Sequence, residues 1–347
     1  MKSPTLQDVA QLAGVSYATA DRVLNQRGKV AAKSATKVQN AMAQLGYVRN
    51  VAAANLSRSR TQKIAFLIPR RTHAFFARMH AHLDKTIDHL KHAQVTIDVI
   101  EVDAFRPDAL RTILSNVIDK AYDGLAIVGL QDAGLIAPLE QIRATGTKIV
   151  SLVSDLPNGC RDQYIGINND KAGRSAARLM GMAHAGLKGQ VVVAAGSLDA
   201  LDHADRLQGF RAVLSRDFPN ITLTTLIETQ DDPATLHGKL KTATASAGPI
   251  TGIYNVGAGN EGLVDWLADF DRPRPFCCIL HELVDPARQA LARGLVDVII
   301  DQRPEIELTR ALAYLRASID DLPPPPAPDL IPAIYLRDNL PDPSFDP

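Results

Sequence analysis

The hydrophobic pattern changes character once along the chain. Over residues 5–46 apolar positions recur at three- and four-residue spacing: Val9, Ala10, Leu12 and Ala13, then Ala20, Val23 and Leu24, then Val38, Ala41, Met42 and Leu45. That spacing predicts three short amphipathic helices. Thr5 followed by Asp8 reads as a capping box, Gly14 as the first helix stop, Ser16 as the second N-cap and Gly46 as the end of the third helix. Two helices meeting at a glycine, with a third behind them, fit a helix-turn-helix unit. Past Lys63 the pattern becomes short, nearly continuous apolar runs. They are KIAFLIP (63–69), VTIDVIEV (95–102), GLAIVGL (124–130), KIVSLVS (148–154), QVVVAAG (190–196), TLTTLIE (222–228), TGIYNVG (251–257), FCCILHE (276–282) and VDVIIDQ (296–302). Such strands, separated by helical stretches, predict parallel sheets covered on both faces, and nine of them suit two doubly wound lobes. LIPAIYLR, beyond the stiff DLPPPPAP segment (321–328), reads as a last strand.

Composition adds bounds. With 347 residues, 46% hydrophobic and 22% charged, the chain fits two or three globular domains. Cys160, Cys277 and Cys278 form neither a C-x-x-C pair nor a spaced metal set, which predicts a reducing cytoplasmic compartment. No apolar run approaches about 18 residues and no apolar signal opens the chain, so neither export nor membrane insertion is expected. The net charge of zero hides a polarity. Residues 1–60 hold nine Lys or Arg against Asp8 and Asp21, a net of +7 that leaves −7 on the remainder. A basic head on an acidic body points to a polyanionic partner. In a helix-turn-helix unit the second helix offers its N-terminal side chains to the major groove. Here these are Tyr17, Ala18 and, one turn on, Arg22: a hydroxyl, a methyl that can meet thymine, and a guanidinium that can bond guanine at two atoms.

TLQDVAQLAGVS, the following RVLN (22–25) and KVQNAMAQLGYVRNVAAANL (37–56) together resemble the lactose-repressor (LacI/GalR) family of bacterial transcription regulators. The resemblance implies a head that binds pseudo-palindromic operator DNA as a homodimer, through Thr5, Leu6, Ser16, Tyr17, Ala18, Arg22, Asn25, Lys33, Asn50, Ala53 and Leu56. It also implies a hinge helix near 50–58, with Leu56 as an apolar wedge in the minor groove. One position departs: Asp21 stands where relatives carry Ser or Thr, so the half-site sequence does not follow from family averages. The domains implied are a head (1–49), a hinge (50–61) and an effector body (62–340).

For the body the resemblance implies a periplasmic sugar-binding-protein fold, with chain crossings near 155–165, 283–298 and 320–324. Lobe 1 is then about 62–160 and 298–322, and lobe 2 about 161–297 and 323–340. In open α/β sheets ligands sit beyond the carboxyl ends of strands. Candidate effector contacts there are His73, Phe75, Phe76, Asp155, Arg206, Asn255, His281, Glu282 and Gln302. A carboxylate, a guanidinium, amides and aromatic faces suit a sugar or polyol. His281-Glu282 and Asn255-Val256 depart from the Asp-bearing and Asn-Asp pairs that relatives often carry.

Two rival readings need weighing. GAGNEG (257–262) matches G-x-G-x-x-G, follows a strand, and precedes Glu282 by 20 residues, as an NAD-type fingerprint does. It lies deep in the second lobe without a hydride-transfer constellation, so the glycines are read as bringing backbone close to a cleft ligand. An exported solute-binding protein would explain the body but not the basic head. No enzyme, cofactor or metal site is expected. His73, His80, His82, His89 and His92 are read as a solvated helical face, with His82, Asp84 and Asp88 a weak metal option.

Overall fold

The computed structural model describes residues 4–24, 30–47, 61–90, 93–246, 249–272, 275–326 and 328–342. Asn25, Asn50, Ala53, Leu56 and His92, and with them the expected hinge helix, lie outside these residues. The chain forms two compact units, 1–60 and 61–347.

The first unit has three helices: α1 (Leu6–Ala13), α2 (Tyr17–Leu24) and α3 (Ala32–Leu45). Both bonds of the capping box are made: the Thr5 amide donates to Asp8 Oδ2 (2.7 Å) and the Asp8 amide to Thr5 Oγ1 (3.3 Å). Gly14 and Gly46 close α1 and α3 at φ +64° and +60°, a region costly for any residue with a Cβ. Val9, Ala10, Ala13, Ala20, Val38 and Ala41 form the core, with Leu6, Val23, Met42 and Leu45 packed against it. Leu12 departs from its expected place in that stripe and is exposed, because the stripe is narrower than the apolar run suggested.

The second unit opens with β1 (Gln62–Pro69), α4 (Ala74–Leu90), β2 (Val95–Val102), α5 (Pro107–Ile118), β3 (Gly124–Val128), α6 (Ile136–Ala144), β4 (Lys148–Leu152) and β5 (Gln163–Ile165). These strands make a parallel sheet in the order β2-β1-β3-β4-β5. The second lobe follows as α7 (Asn169–His184), β6 (Gly189–Ala195), α8 (Leu201–Asp217), β7 (Ile221–Glu228), α9 (Pro233–Ser246), β8 (Gly252–Asn255), α10 (Asn260–Asp269), β9 (Cys277–His281), α11 (Asp285–Ala292) and β10 (Val298–Asp301). The chain then returns α12 (Pro304–Ile319) to the first lobe and ends in β11 (Ala333–Tyr335). The second sheet runs β11-β10-β9-β8-β6-β7, and only β11 is antiparallel. Four apolar clusters cover the two faces of each sheet, as buried parallel strands require.

All nine expected strands form, the expected last strand forms as β11, and the short β5 joins them. One crossing differs from expectation. Residues 283–298 do not change lobe: they carry α11 back to a strand of the same sheet, since Val298–Ile300 pair in parallel with Ile279–His281. The crossing comes after β10, at Gln302–Arg303, and α12 then buries Leu308, Ala311 and Leu315 against Ile64, Ala126 and Val150 of the first lobe. The first crossing lies just past β5, where Ile167 pairs with Leu330 of the last crossing. Among the described residues no helix is long and apolar enough to cross a membrane.

Candidate functional site

On α2 the exposed face carries Tyr17 (52% accessible), Ala18 and Arg22, and Lys33 is exposed at the start of α3. Ser16 Oγ accepts from the Thr19 amide (3.2 Å) and lies against Thr19 Oγ1 (2.9 Å), which fixes the start of α2. Leu6 is half-buried against the core of the unit, and the Thr5 hydroxyl is bonded to Asp8. These two therefore build the helix end that supports the exposed residues.

In the body, the carboxyl ends of both sheets face a shared cavity of about 650 Å³, part of it open to solvent. Six expected contacts line it: His73, Phe75, Phe76, Arg206, Glu282 and Gln302. Three do not. Asn255 donates to Ala258 O (2.9 Å) and Asn260 Oδ1 (2.8 Å), which shapes the turn after β8. His281 is fully buried, with Nε2 2.8 Å from the Tyr254 hydroxyl, and burial beside Arg206 and His203 holds its basicity far below normal. Asp155 is bound by Arg161, by the Ser151 hydroxyl (2.6 Å) and by the Leu156 amide (2.8 Å). Burial would raise that carboxyl, but these bonds outweigh it and hold its pKa below the usual range.

Arg206 forms the floor. The residue is 1% exposed. Nε donates to Asn169 Oδ1 (2.8 Å) and Nη1 to Val256 O (2.7 Å), while Nη2 has no hydrogen-bond partner among the described residues. Asp202 and Glu282 stand 4.0 and 3.9 Å away. The helix that carries Arg206 is set by backbone contact. A Cβ on Gly173 of α7 would meet Arg206 O at 1.9 Å, and one on Gly209 of α8 would meet Asp170 O at 2.1 Å. Glu282 accepts from Gln302 Nε2 (2.7 Å) through Oε1, leaving Oε2 unpartnered. Burial, reinforced by Asp301, pushes its pKa up to about 8 despite Arg206 and Arg78.

Asp231 was not foreseen and proves central. His73 Nε2, from the first lobe, lies 3.0 Å from Asp231 Oδ2 of the second. Phe105 of the first lobe approaches His203 of the second at 5.8 Å between ring centroids. The two walls therefore touch. Asp231 Oδ1 also accepts from the Ala258 amide (2.8 Å). Burial opposes ionisation of Asp231, but His73, His203 and this amide lower its pKa overall. Asp202, His203, Phe105 and Ser154 line the cavity as well. The strand-end rule applied to the loops after β2, β4 and β7 finds Phe105, Ser154 and Asp231, and helical spacing from Arg206 finds Asp202 and His203.

Five polar atoms of lining residues are buried without a hydrogen-bond partner among the described residues: His73 Nδ1, Ser154 Oγ, Arg206 Nη2, Glu282 Oε2 and Gln302 Oε1. Buried polar groups are normally satisfied, so their convergence on one cavity marks a place for a ligand's donors and acceptors.

The glycines of GAGNEG have other duties. A Cβ on Gly257 would lie 2.5 Å from Asp231 Oδ1, Gly259 sits at φ +75°, and a Cβ on Gly262 would meet Pro233 O at 1.8 Å. The loop amide of Ala258 is already taken by a carboxylate of this chain, so a pyrophosphate has no cradle here. Three of the histidines depart from a solvated face: His73 meets Asp231, His80 is buried with Nε2 2.9 Å from Pro69 O, and His82 Nε2 lies 3.3 Å from Thr309 Oγ1, whereas His89 is exposed as expected. Among the described residues no cluster of His, Cys, Asp or Glu could hold a metal ion.

Comparison with known proteins agrees with this anatomy. Residues 64–320 match the periplasmic binding protein domain, and residues 5–50 match the bacterial regulatory proteins of the lacI family. The chain is 27% identical over 228 residues to the HTH-type transcriptional regulator DegA of Bacillus subtilis, covering 65% of each chain. It is 29% identical over 219 residues to the lactose operon repressor of Escherichia coli, covering 62% of this chain and 58% of that one. The chain thus spans less than two thirds of the length of either relative. In fold it is similar to an ABC-transporter solute-binding protein of Burkholderia graminis solved with D-arabinose (TM-score 0.73, 22% identity, 81% of this chain and 96% of that one). A helix-turn-helix unit and a two-lobed, cleft-bearing body, each matched by its own family model, place the chain in the lacI family of bacterial regulatory proteins, with a periplasmic binding protein domain as its body.

Proposed function

We propose that the protein is a ligand-gated, sequence-specific DNA-binding transcriptional repressor that works in the cytoplasm as a homodimer and catalyses no reaction. Its effector is a small sugar or polyol held between the lobes. The observation that carries this reading is a body cleft closed over five unpartnered polar atoms, in the same chain as a basic helix-turn-helix unit with Tyr17, Ala18 and Arg22 exposed. The names of relatives support it: the lactose operon repressor and the sucrose operon repressors. Structures of the same fold hold D-arabinose and D-allose.

In this reading two heads read adjacent half-sites of a pseudo-palindrome, because operator symmetry mirrors that of the protein dimer. Phosphate contacts supply most of the affinity, and base-edge contacts from Tyr17, Ala18 and Arg22 supply the discrimination. Thr5, Leu6, Ser16 and Lys33 support or flank that surface, and Asn25, Asn50, Ala53 and Leu56 complete the proposed DNA contacts. In the body the effector engages Arg206, Glu282, Gln302, His73, Phe75 and Phe76. Asp155, Asn255 and His281 hold the scaffold around it. Closure around the effector and operator binding are then linked by a coupling energy of about 1–3 kcal/mol.

A DNase footprint on DNA flanking the gene, at two salt concentrations and with or without a metabolite extract, tests the reading. The expected result is a palindromic protected site that weakens with salt and responds to the extract. Absence of protection in every condition would overturn it.

A further inference from the structure

Four non-glycine residues that line the cavity have their backbone φ in the left-handed region: Phe105 (+54°), Val153 (+61°), Asp231 (+57°) and Glu282 (+72°). Val153 is the costliest of them, because a β-branched side chain tolerates that region least and its surroundings must hold it there. It follows β4, and the turn it makes sets Ser154 against the cavity. Ser154 Oγ is buried without a partner among the described residues, and Ser154 O accepts from the Gly129 amide (2.9 Å).

Tyr164 of β5 holds this turn. Its hydroxyl donates to Val153 O (2.9 Å), with Ile167 O of the first crossing at 3.2 Å. The same hydroxyl accepts from Asn169 Nδ2 (3.3 Å), and Asn169 Oδ1 accepts from Arg206 Nε (2.8 Å). Three donations therefore run head to tail, from a guanidinium of the second lobe to a carbonyl on the wall of the first. Bonds ordered in this way polarise and strengthen one another. The seat is cut to the hydroxyl: a Cβ on Gly166 would lie 2.2 Å from it. Burial, reinforced by Glu307 and Asp202, raises the Tyr164 pKa well above the ordinary phenol value, so the donor keeps its proton.

We propose that Tyr164 is a positioning residue of the cleft. Through Asn169 it ties the strained turn at Val153–Ser154 on one wall to Arg206 on the other, so the two walls keep one register across the first crossing. Only the consequence for binding rests on the effector reading above. Loss of the hydroxyl should free Ser154 from its place and weaken the hold on an effector from the first-lobe side.

Amide hydrogen exchange on the full chain, without effector and resolved to single residues, reads the turn through Gly129. Tyr164→Phe keeps the ring and should speed exchange at Gly129 about tenfold or more, as release of a strained turn implies. The amides of Leu125–Ile127 in β3, held by strands on both sides, serve as the internal reference and should stay within about twofold. Adding Val153→Gly to Tyr164→Phe should restore most of the protection, since glycine meets no penalty at positive φ. Asn169→Ala should speed Gly129 exchange several-fold. Native exchange at Gly129 in Tyr164→Phe would overturn the proposal. So would a double variant no better protected than Tyr164→Phe, or an Asn169→Ala chain with native protection. In the footprint, Tyr164→Phe should need several-fold more metabolite extract for the same response, and an unchanged requirement would refute the positioning role. Because exchange is read without effector, the relay can fail while the effector reading stands, and the reverse.

Discussion

Glu282 illustrates how much one side chain can depend on its surroundings. A carboxyl that would ordinarily lose its proton near 4.5 keeps it to about 8 in the folded chain, because burial and Asp301 outweigh Arg206 and Arg78. Between those values the folded protein holds a proton that the unfolded chain has released. The contribution of Glu282 to stability is therefore complete below 4.5 and is lost as pH rises through 8. Glu282→Gln, neutral at every pH, should flatten this slope, so that Tm falls less between pH 6 and 9 than in the native chain. Equal falls would refute the assignment. On α2, Arg22→Ala should cost about 1–3 kcal/mol on the preferred operator and little on DNA altered at the contacted guanine. A uniform loss across both sequences, read from parallel titrations, would assign Arg22 to phosphate instead. The sequence distinguished these residues only in part, for a reason of pleat geometry. His281 and Asn255 are the last residues of β9 and β8 and turn their side chains into the fold, whereas Glu282, one residue further, enters the cleft. Asp155 lies three residues past β4 and is tied to Arg161, while its neighbour Ser154 faces the cavity.

At the scale of elements, helix contact decides where Arg206 stands. α7 and α8 meet backbone to backbone at Gly173 and Gly209. Gly173→Ala would put a methyl inside the space of the Arg206 carbonyl and force α8 away, at about 1–3 kcal/mol of stability. The same displacement should weaken effector binding, whereas an alanine at exposed Gly238, where nothing lies within 4 Å, should leave effector binding unchanged. Thermal unfolding and calorimetry on both variants check this, and a Gly173→Ala chain as stable as the native one would sink the packing argument. Elements themselves were largely legible, because buried parallel strands write themselves as continuous apolar runs. β5, three residues long at the sheet edge, has too few positions to show a period. The strand 298–301 was legible as a strand but not as a member of the second sheet, since hydrophobic pattern records burial and not partner.

Across the whole body, the lobes meet through a small set of contacts besides the crossings. His73–Asp231 and Phe105–His203 bridge the cleft, and Arg78 of α4 holds Asp301 (2.7 Å) and Glu305 (3.1 Å) beside the second crossing. The Arg78 pairs lie beside the second crossing and the His73 pair joins the two walls of the cleft, so they should act differently. His73→Ala is expected to open the ligand-free body and raise the radius of gyration of an isolated 61–347 unit in small-angle scattering, with Tm lowered by only a few degrees. Arg78→Ala leaves the buried Asp301 carboxylate without its cation and should instead destabilise the fold by about 3–5 kcal/mol. A scattering curve unchanged by His73→Ala would mean that the cleft is held shut by other contacts.

The crossing at Gln302–Arg303 also bears on the order in which the protein is made. The first lobe begins at residue 62, yet the helix that covers its β1, β3 and β4 spans Pro304–Ile319, after the whole second lobe in the chain. On the ribosome the head, with a core drawn from residues 6–47, can close early. The first lobe must wait with Ile64, Ala126 and Val150 uncovered until residues 304–319 have emerged. A truncated product ending before residue 304 would therefore retain a foldable DNA-reading head on an unfinished, aggregation-prone body, and a nascent-chain protease assay should find the 62–165 segment protected only once residue 320 has left the exit tunnel.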